Sequence, residues 1–369
     1  MIRLEAGRFD DFFRAPLEAY GAGSPFVSVF RDDLERFLDP KRNPLLLHHG
    51  ALEYRTAYRD GRLVGRITAH EHTTSNALHG WRRGCFGYFD CADDLDAARA
   101  LLGWAEAWAR ARGLTELIGR FDLTAMQQIG VVTGGFERSP YSDQVWTPPH
   151  LPRLLEACGY QPTFPMSSFE VDLAECDPEK LLGSKHRALL ESAGLTWETL
   201  HKRRLDRELI EVCEVLNDGF TDNPMFVPLT EEEFQFQAKD LSLIIDERIS
   251  VVARENGRMV GCIICIPDLN PLLRATKSRF TWTTPFHFLF HQLRRRRAVA
   301  IFESVRREWH HRGLGGVLIH HIAKRLRESG YESLGITWVS DANAASLAGV
   351  RRMGGREMHR LHLFRKALA

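Results

Sequence analysis

The sequence predicts an α+β protein built from two tandem copies of one module. The chain has 369 residues, more than twice the roughly 150 residues of an average domain. An Asp60-Gly61 turn between two apolar stretches is followed, about 195 residues later, by Asn256-Gly257 in the same setting. A strand, a helix and another strand follow each turn. We therefore predict one domain over residues 1–170 and a second over residues 171–369.

The first copy begins its regular pattern after polar sequence, interrupted by Pro and Gly, that runs to Gly50. Asp and Gly tolerate the positive φ of a tight turn, so the apolar stretches beside Asp60-Gly61 predict a β-hairpin. Apolar side chains recur at helical spacing between Asp93 and Arg112, and Gly113 ends that helix. The predicted strands are 52–58, 63–69, 85–89 and 114–121.

The second copy opens with two helices. Thr230 caps the second of them, because acids occupy the turn that follows it. A second hairpin surrounds Asn256-Gly257. The predicted helices are 205–220, a short one beginning at 231, and 315–329, and the predicted strands are 249–254, 259–267, 298–305 and 332–339.

Composition and charge exclude several classes of protein. Apolar residues make up 44% and charged residues 26% of the chain, as in ordinary globular proteins. The 49 basic and 48 acidic side chains leave a net charge of +1. A chain this close to neutral has no overall positive potential to attract nucleic acid, so a nucleic-acid-binding protein is not expected. Seven cysteines, an odd number scattered over a long chain, indicate reduced thiols and a cytoplasmic location. The N-terminus has no apolar segment of a secretory signal.

The two copies differ at the turn between strand and helix. The second carries Gly313, Gly315 and Gly316 beside Arg312, whereas the first carries the acidic stretch 90–96. Glycines allow a ligand to approach the backbone closely, and a helix N-terminus attracts anions. The sequence therefore predicts a pyrophosphate site in the second copy alone. A glycine-rich turn before an ordinary helix is the alternative.

Two blocks of the second copy resemble the GNAT superfamily of N-acyltransferases. The first is Val305-x-x-Glu-Trp-x-x-x-Gly-Leu-Gly315, and the second is Asn343-Ala-Ala-Ser-Leu347 followed by Met353-Gly-Gly355. The resemblance implies a mixed, mostly antiparallel sheet flanked by helices in each module, with acyl-CoA as co-substrate. It also implies that the amide of Val305 pairs with the pantetheine arm. The other implied cofactor-binding residues are His310, His311, Arg312, Gly313, Leu314, Gly315, Gly316, Asn343 and Ser346.

The chain departs from the superfamily pattern twice. His310 replaces the usual Arg or Gln, and Val350 replaces a Tyr that often protonates the departing thiolate. Stretches 121–128 and 220–230 extend the resemblance to bacterial tandem-GNAT acyltransferases. That group includes bacterial ceramide synthases, which acylate a sphingoid-type amine with long-chain acyl-CoA.

An amine must lose its proton before it attacks a thioester, because alkylamines are protonated at neutral pH. Glu303, late on the strand before the glycine-rich turn, is the first candidate base, and a salt bridge to Arg306 or Arg307 is its structural alternative. Asp341 is the second candidate base, with turn capping as its alternative. The candidate acceptor-binding residues are Asp222, Asn223 and Asp143, each of which also suits a turn or an inter-domain hydrogen bond.

Segment 280–297 combines five aromatic residues with four arginines. Such a segment favours a lipid surface or an acyl-chain lid, and a buried helix with a cationic end is the alternative. Its charge-free part, 280–293, is too short to span a bilayer. We expect a lipid amine acceptor and peripheral contact with the inner face of the membrane. N-acetylation of a small amine or a protein, and non-catalytic binding of acyl-CoA, remain open.

Histidine pairs suggest metal sites, but the sequence shows no third ligand near them. His287 and His291 are four residues apart, and His70 and His72 alternate on a predicted strand. Cys262 and Cys265 lie inside an apolar strand. We therefore predict no metal ion.

Overall fold

A computed structural model describes residues 1–192, 194–239 and 241–368. The strands are β1 Ile2–Glu5, β2 Leu52–Arg59, β3 Arg62–Glu71, β4 Arg83–Cys91, β5 Glu116–Gly119, β6 Phe121–Asp122, β7 Gln128–Ile129, β8 Val131–Gly134, β9 Gln161–Asp172, β10 Leu195–Glu198, β11 Ser250–Glu255, β12 Arg258–Pro267, β13 Arg297–Val305, β14 Ser333–Ser340 and β15 Arg356–Ala367. The helices are α1 Phe9–Tyr20, α2 Arg31–Leu38, α3 Pro44–His49, α4 Thr73–His79, α5 Leu95–Ala111, α6 His150–Ala157, α7 Ser184–Leu190, α8 Leu205–Gly219, α9 Glu231–Ala238, α10 Leu241–Ile244, α11 Asn270–Ala275, α12 Thr284–Arg294, α13 Leu314–Glu328 and α14 Ala344–Arg352.

The chain forms two compact units. The first contains Met1–Ser167, Asn270–His287 and His359–Ala369, and the second contains Ser168–Leu269 and Phe288–Met358. The predicted division at residue 170 is linear, whereas the structure assigns two later segments to the first unit. Strand pairing explains one of them, because β15 is antiparallel to both β5 and β8.

The first unit is a mixed, mostly antiparallel sheet in the order β1-β2-β3-β4-β5-β15. Asp60 and Gly61 have φ values of 49° and 84° and join β2 to β3, which confirms the first predicted hairpin. The parallel pair is β4 with β5. Helix α5 covers the sheet with a buried apolar face that includes Ala98, Leu101 and Trp108.

The second unit repeats this arrangement in the order β14-β13-β12-β11-β10. Asn256 and Gly257, with φ values of 50° and 81°, join β11 to β12, which confirms the second hairpin. The parallel pair is β13 with β14. Helix α13 covers the sheet through Leu314, Leu318 and neighbouring apolar residues. The predicted α+β class, with a mostly antiparallel sheet flanked by helices, is therefore confirmed.

Candidate functional site

Helix α13 begins at a glycine-rich turn, and its first amides have no acceptor within the helix. Gly313 precedes the helix with φ of 94° and has no side chain to cap it. The first helical hydrogen bond runs from the Val317 amide to the Gly313 carbonyl, at 3.3 Å. The amides of Leu314, Gly315 and Gly316 lie before this bond, where an α-helix offers them no acceptor. With no acid in the first turn, this helix end suits an anion.

The equivalent helix of the first unit carries its own anion. Asp94 accepts a hydrogen bond from the Ala97 amide at 3.1 Å and caps α5. The Arg59 guanidinium binds the same carboxylate. Asp90, at the end of β4, is buried and paired with Arg66 at 2.7 Å. A carboxylate thus occupies in the first unit the position that is open in the second.

Side chains within the turn hold its shape. His310 Nε2 lies 2.9 Å from the Val305 carbonyl oxygen. The Arg312 amide donates to the Trp309 carbonyl at 3.3 Å, and the guanidinium lies over the Trp309 ring. The amide of Arg312 is therefore engaged inside the turn. His311 is exposed with φ of 61°, while Leu314 is fully buried.

Helix α7 supplies two side chains that the sequence did not suggest. Lys185 Nζ donates to the His311 carbonyl. His186 lies against the glycines: its Nε2 is 2.6 Å from the point where a Cβ would stand on Gly316. Burial and, secondarily, the charge of Arg352 lower the pKa of His186. In the sequence, only the basic run Lys185-His186-Arg187 draws attention to α7. No periodic pattern connects this run to the glycine-rich turn, which lies more than 120 residues later.

Strands β13 and β14 separate beside this turn. Their pairing ends at Ala300 and Ile336, although the strands continue to Val305 and Ser340. The Arg306 amide donates to the Val260 carbonyl of β12 at 2.9 Å. Since donors alternate along an antiparallel ladder, the amides of Glu303 and Val305 point away from β12, into the separation. An extended polar chain could pair with this strand edge.

Glu303 lines the same stretch of β13. Its side chain keeps part of its surface exposed, yet desolvation raises its pKa from 4.5 to about 7, and Arg352 opposes that rise. The alternative of a salt bridge to Arg306 or Arg307 is not found. Arg306 pairs with Glu214 at 2.7 Å, and Arg307 pairs with Asp218 at 3.3 Å. A carboxyl group with a pKa near neutrality can accept a proton at physiological pH.

The structure places the other candidate residues in turns and caps. Asn343 caps α14, and its side-chain oxygen accepts from the Ser346 amide at 3.0 Å. Asp341 is exposed just before this cap. Asn223 accepts from the Met225 amide at 3.0 Å in a turn, beside the exposed Asp222. Asp143 is exposed, has φ of 60° and belongs to the first unit. The structure does bring the turn 310–316 next to Val305, through the contact between His310 and the Val305 carbonyl.

Helix α12 and the residues just before it expose apolar side chains. Trp282, which precedes the helix, is 83% exposed, and Phe286 and Leu293 within the helix are 68% and 79% exposed. Of the adjacent arginines, Arg295, Arg296 and Arg297 form salt bridges with Asp246, Glu332 and Glu170. The alternative of a buried helix is therefore wrong. Within the three described ranges, no helix combines the length and apolarity needed to cross a bilayer.

Comparison with known proteins finds a family that part of the chain resembles and relatives that most of the chain resembles. Residues 210–354 match the acetyltransferase (GNAT) family. The chain is 28% identical over 339 residues to the bacterial ceramide synthase of Caulobacter vibrioides, an alignment that covers 90% of this chain and 87% of that protein. It is 25% identical over 322 residues to the protein YghO of Escherichia coli, covering 85% and 81% of the two chains.

Two solved structures share the fold. A tandem GNAT protein from the clavulanic acid biosynthesis pathway superposes with a TM-score of 0.61 at 13% identity, covering 100% of this chain and 99% of that one. A GCN5-related N-acetyltransferase from Sphaerobacter thermophilus superposes with a TM-score of 0.56 at 16% identity, covering 100% and 96%.

Proposed function

We propose that this chain is a GNAT-superfamily N-acyltransferase with tandem GNAT-like modules, and that its second module transfers an acyl group from acyl-CoA to an amine; the family match, the 28% identical relative and the shared fold support this. The observation that carries this assignment is the contrast between the two helix N-termini. Asp94 caps α5, whereas Gly313 leaves the amides at the start of α13 available. A phosphate group needs such amides and is repelled by a carboxylate in the same place.

The cofactor would lie along the turn and the strand edge. Its diphosphate would accept hydrogen bonds from the amides of residues 313–316, on the open side of Gly315, where an added Cβ would meet no atom within 4 Å. Lys185 and His186 would form the wall opposite, and the Lys185 ammonium would partly neutralise the phosphates. The pantetheine arm would pair with the outward amide of Val305. The Asn343 cap, with Ser346, would border that arm.

Glu303 would act as the general base, directly or through one water molecule. The amine nitrogen attacks the thioester carbonyl carbon, its proton passes to Glu303, and the carbon–sulfur bond then breaks. A neighbouring outward amide of the same strand segment would stabilise the negative oxygen of the intermediate. Val350 is buried and apolar and gives no proton. The sulfur can depart as a thiolate, because thiols have ordinary pKa values near 8.5. Asp341 is the alternative base.

A long acyl chain and a sphingoid-type amine are the substrates we propose, with peripheral attachment to the cytoplasmic face of the membrane. Two observations support them: one relative is named a bacterial ceramide synthase, and Trp282 just before α12 and Phe286 within it are exposed. Aromatic side chains partition to the lipid interface. We propose Asp222 and Asn223 as contacts of the acceptor, and Asp143 stays a separate candidate for that role. N-acetylation of a small amine is the second candidate.

Release of free thiol from acetyl-CoA and from palmitoyl-CoA tests the proposal across a panel of amines that includes sphingoid bases. We expect amine-dependent release with palmitoyl-CoA and a sphingoid base. Equal rates with both thioesters would remove the lipid acceptor and favour N-acetylation. Tight binding of CoA without turnover of any amine would indicate a non-catalytic module, and absence of CoA binding would refute the cofactor assignment.

A further inference from the structure

A cluster of three buried metal-ligating side chains lies in the first unit, outside the proposed acyltransferase site. His70 is at the end of β3, His72 follows it, and Cys85 stands opposite His70 on β4. One ligand atom from each residue lies within 4.8 Å of the other two. All three residues are buried; His70 is 1%, His72 5% and Cys85 6% exposed.

The strand geometry explains why the three side chains meet. Residues two apart on an extended strand project to the same face, so His70 and His72 are neighbours. Their rings are 5.3 Å apart and nearly perpendicular. A residue directly across an antiparallel pair shares that face as well, which adds the Cys85 thiol.

One backbone carbonyl sets the protonation of both rings. The Leu123 oxygen lies 3.1 Å from His70 Nε2 and 2.6 Å from His72 Nε2. A carbonyl oxygen only accepts, so each ring carries a proton on Nε2 and, when neutral, a lone pair on Nδ1.

Among the residues that the structure describes, none offers a hydrogen-bond partner to the Nδ1 atom of His70. The same holds for the hydroxyl oxygen of Thr68, which is two residues earlier on the same face and fully buried. Buried polar atoms without partners are uncommon and costly in proteins. A metal-ligating histidine characteristically donates its other N–H to a backbone carbonyl or carboxylate, as both rings do here.

We propose that the first unit binds one divalent transition metal ion, zinc being the expected one, through His70 Nδ1, His72 Nδ1 and Cys85 Sγ. On binding, the Cys85 thiol releases its proton to solvent and coordinates as a thiolate. Zinc–nitrogen bonds of about 2.0–2.1 Å and a zinc–sulfur bond of about 2.3 Å in a tetrahedral site place the ligand atoms about 3.3–3.6 Å apart. The three ligand atoms, now within 4.8 Å of one another, would therefore have to move closer together through side-chain rotation. A water molecule takes the fourth position, near Thr68. The ion would hold the ends of β3 and β4 to the loop at Leu123.

The experiment uses the full-length chain without a histidine tag, expressed with zinc and separated from free metal. Elemental analysis should find about one zinc per chain. After removal of zinc with a chelator, Co²⁺ titration should produce thiolate-to-cobalt charge-transfer absorption and the visible bands of a tetrahedral ion. Cys85→Ser should abolish the charge-transfer absorption. The control, Cys262→Ser, alters a buried thiol of the second unit and should leave it unchanged.

X-ray absorption of the wild-type zinc protein decides the question even if Cys85→Ser fails to fold. We expect about two nitrogen ligands at 2.0–2.1 Å and one sulfur near 2.3 Å. A chain free of metal that takes up no Co²⁺, a zinc shell without sulfur, or charge-transfer absorption that persists in Cys85→Ser would each overturn the proposal. None of these results depends on acyltransferase activity.

Discussion

Replacing Glu303 with glutamine should make the protein more stable at alkaline pH and inactive in acyl transfer. Desolvation raises the pKa of this carboxyl group from 4.5 to about 7, so the folded protein holds the proton more tightly than the unfolded chain does. The carboxyl group therefore adds no penalty below pH 4.5. As the pH rises from 4.5 through 7, ionisation of Glu303 lowers the free energy of unfolding. The loss is less than about 1 kcal/mol at pH 5 and about 3 kcal/mol at pH 8. Glutamine cannot ionise and removes this pH-dependent cost.

Urea unfolding of Glu303→Gln and wild type at pH 5, 6, 7 and 8 measures that difference. We expect the free energy of unfolding of Glu303→Gln, measured relative to that of wild type, to increase by about 2–3 kcal/mol between pH 5 and pH 8. Glu308→Gln is the matched control, since Glu308 is exposed and pairs with Arg258 on the surface. A gap that stays constant with pH would refute the desolvation argument.

The same titration predicts the pH profile of catalysis. About a tenth of the molecules carry the Glu303 carboxylate at pH 6 and about nine tenths at pH 8, so the rate should rise roughly tenfold between them. The rate of Glu303→Gln should be lower by about 10²–10⁴-fold, with CoA affinity retained. Full activity of this variant would leave Asp341 as the candidate base.

Three further substitutions test separate parts of the structure. Lys185→Met should weaken CoA binding about tenfold in calorimetry, because it removes a charge that faces the phosphates. Lys180→Met changes another exposed lysine and should leave CoA binding unchanged. Equal affinities of Lys185→Met and wild type would show that α7 does not contribute to the cofactor site. Trp282→Ser should reduce co-sedimentation with anionic vesicles about tenfold, and Leu78→Ser serves as the exposed apolar control; unchanged sedimentation would count against membrane contact. Arg120→Met removes the cation paired with the buried Asp122 and one of the two cations paired with the buried Asp90, and should lower the free energy of unfolding by about 3–5 kcal/mol; a loss below 1 kcal/mol in urea unfolding would contradict this account.

Local chemistry made much of the fold predictable from the chain alone. Asp60-Gly61 and Asn256-Gly257 predict hairpins because Asp, Asn and Gly tolerate the positive φ that a two-residue turn requires. The glycines at 313–316 and the acids at 90–96 distinguish the two helix starts for the same local reason. The opening residues before Gly50, by contrast, form one strand and three helices. Their short elements are stabilised by packing, through buried residues such as Phe12, Leu34 and Leu45, which a single-sequence pattern does not reveal.

Tertiary structure decided whatever depends on residues far apart in the chain. Phe364 of β15 pairs with Gly119, so the last strand completes the first unit. The approach of Lys185 to the turn at His311 follows from the packing of α7, and the pKa of Glu303 follows from its desolvation on β13. Periodicity showed that His70 and His72 share a face. Only the folded chain brought Cys85 and the Leu123 carbonyl to them, because hydrogen bonds and burial act across space, whereas sequence patterns report neighbours along the backbone.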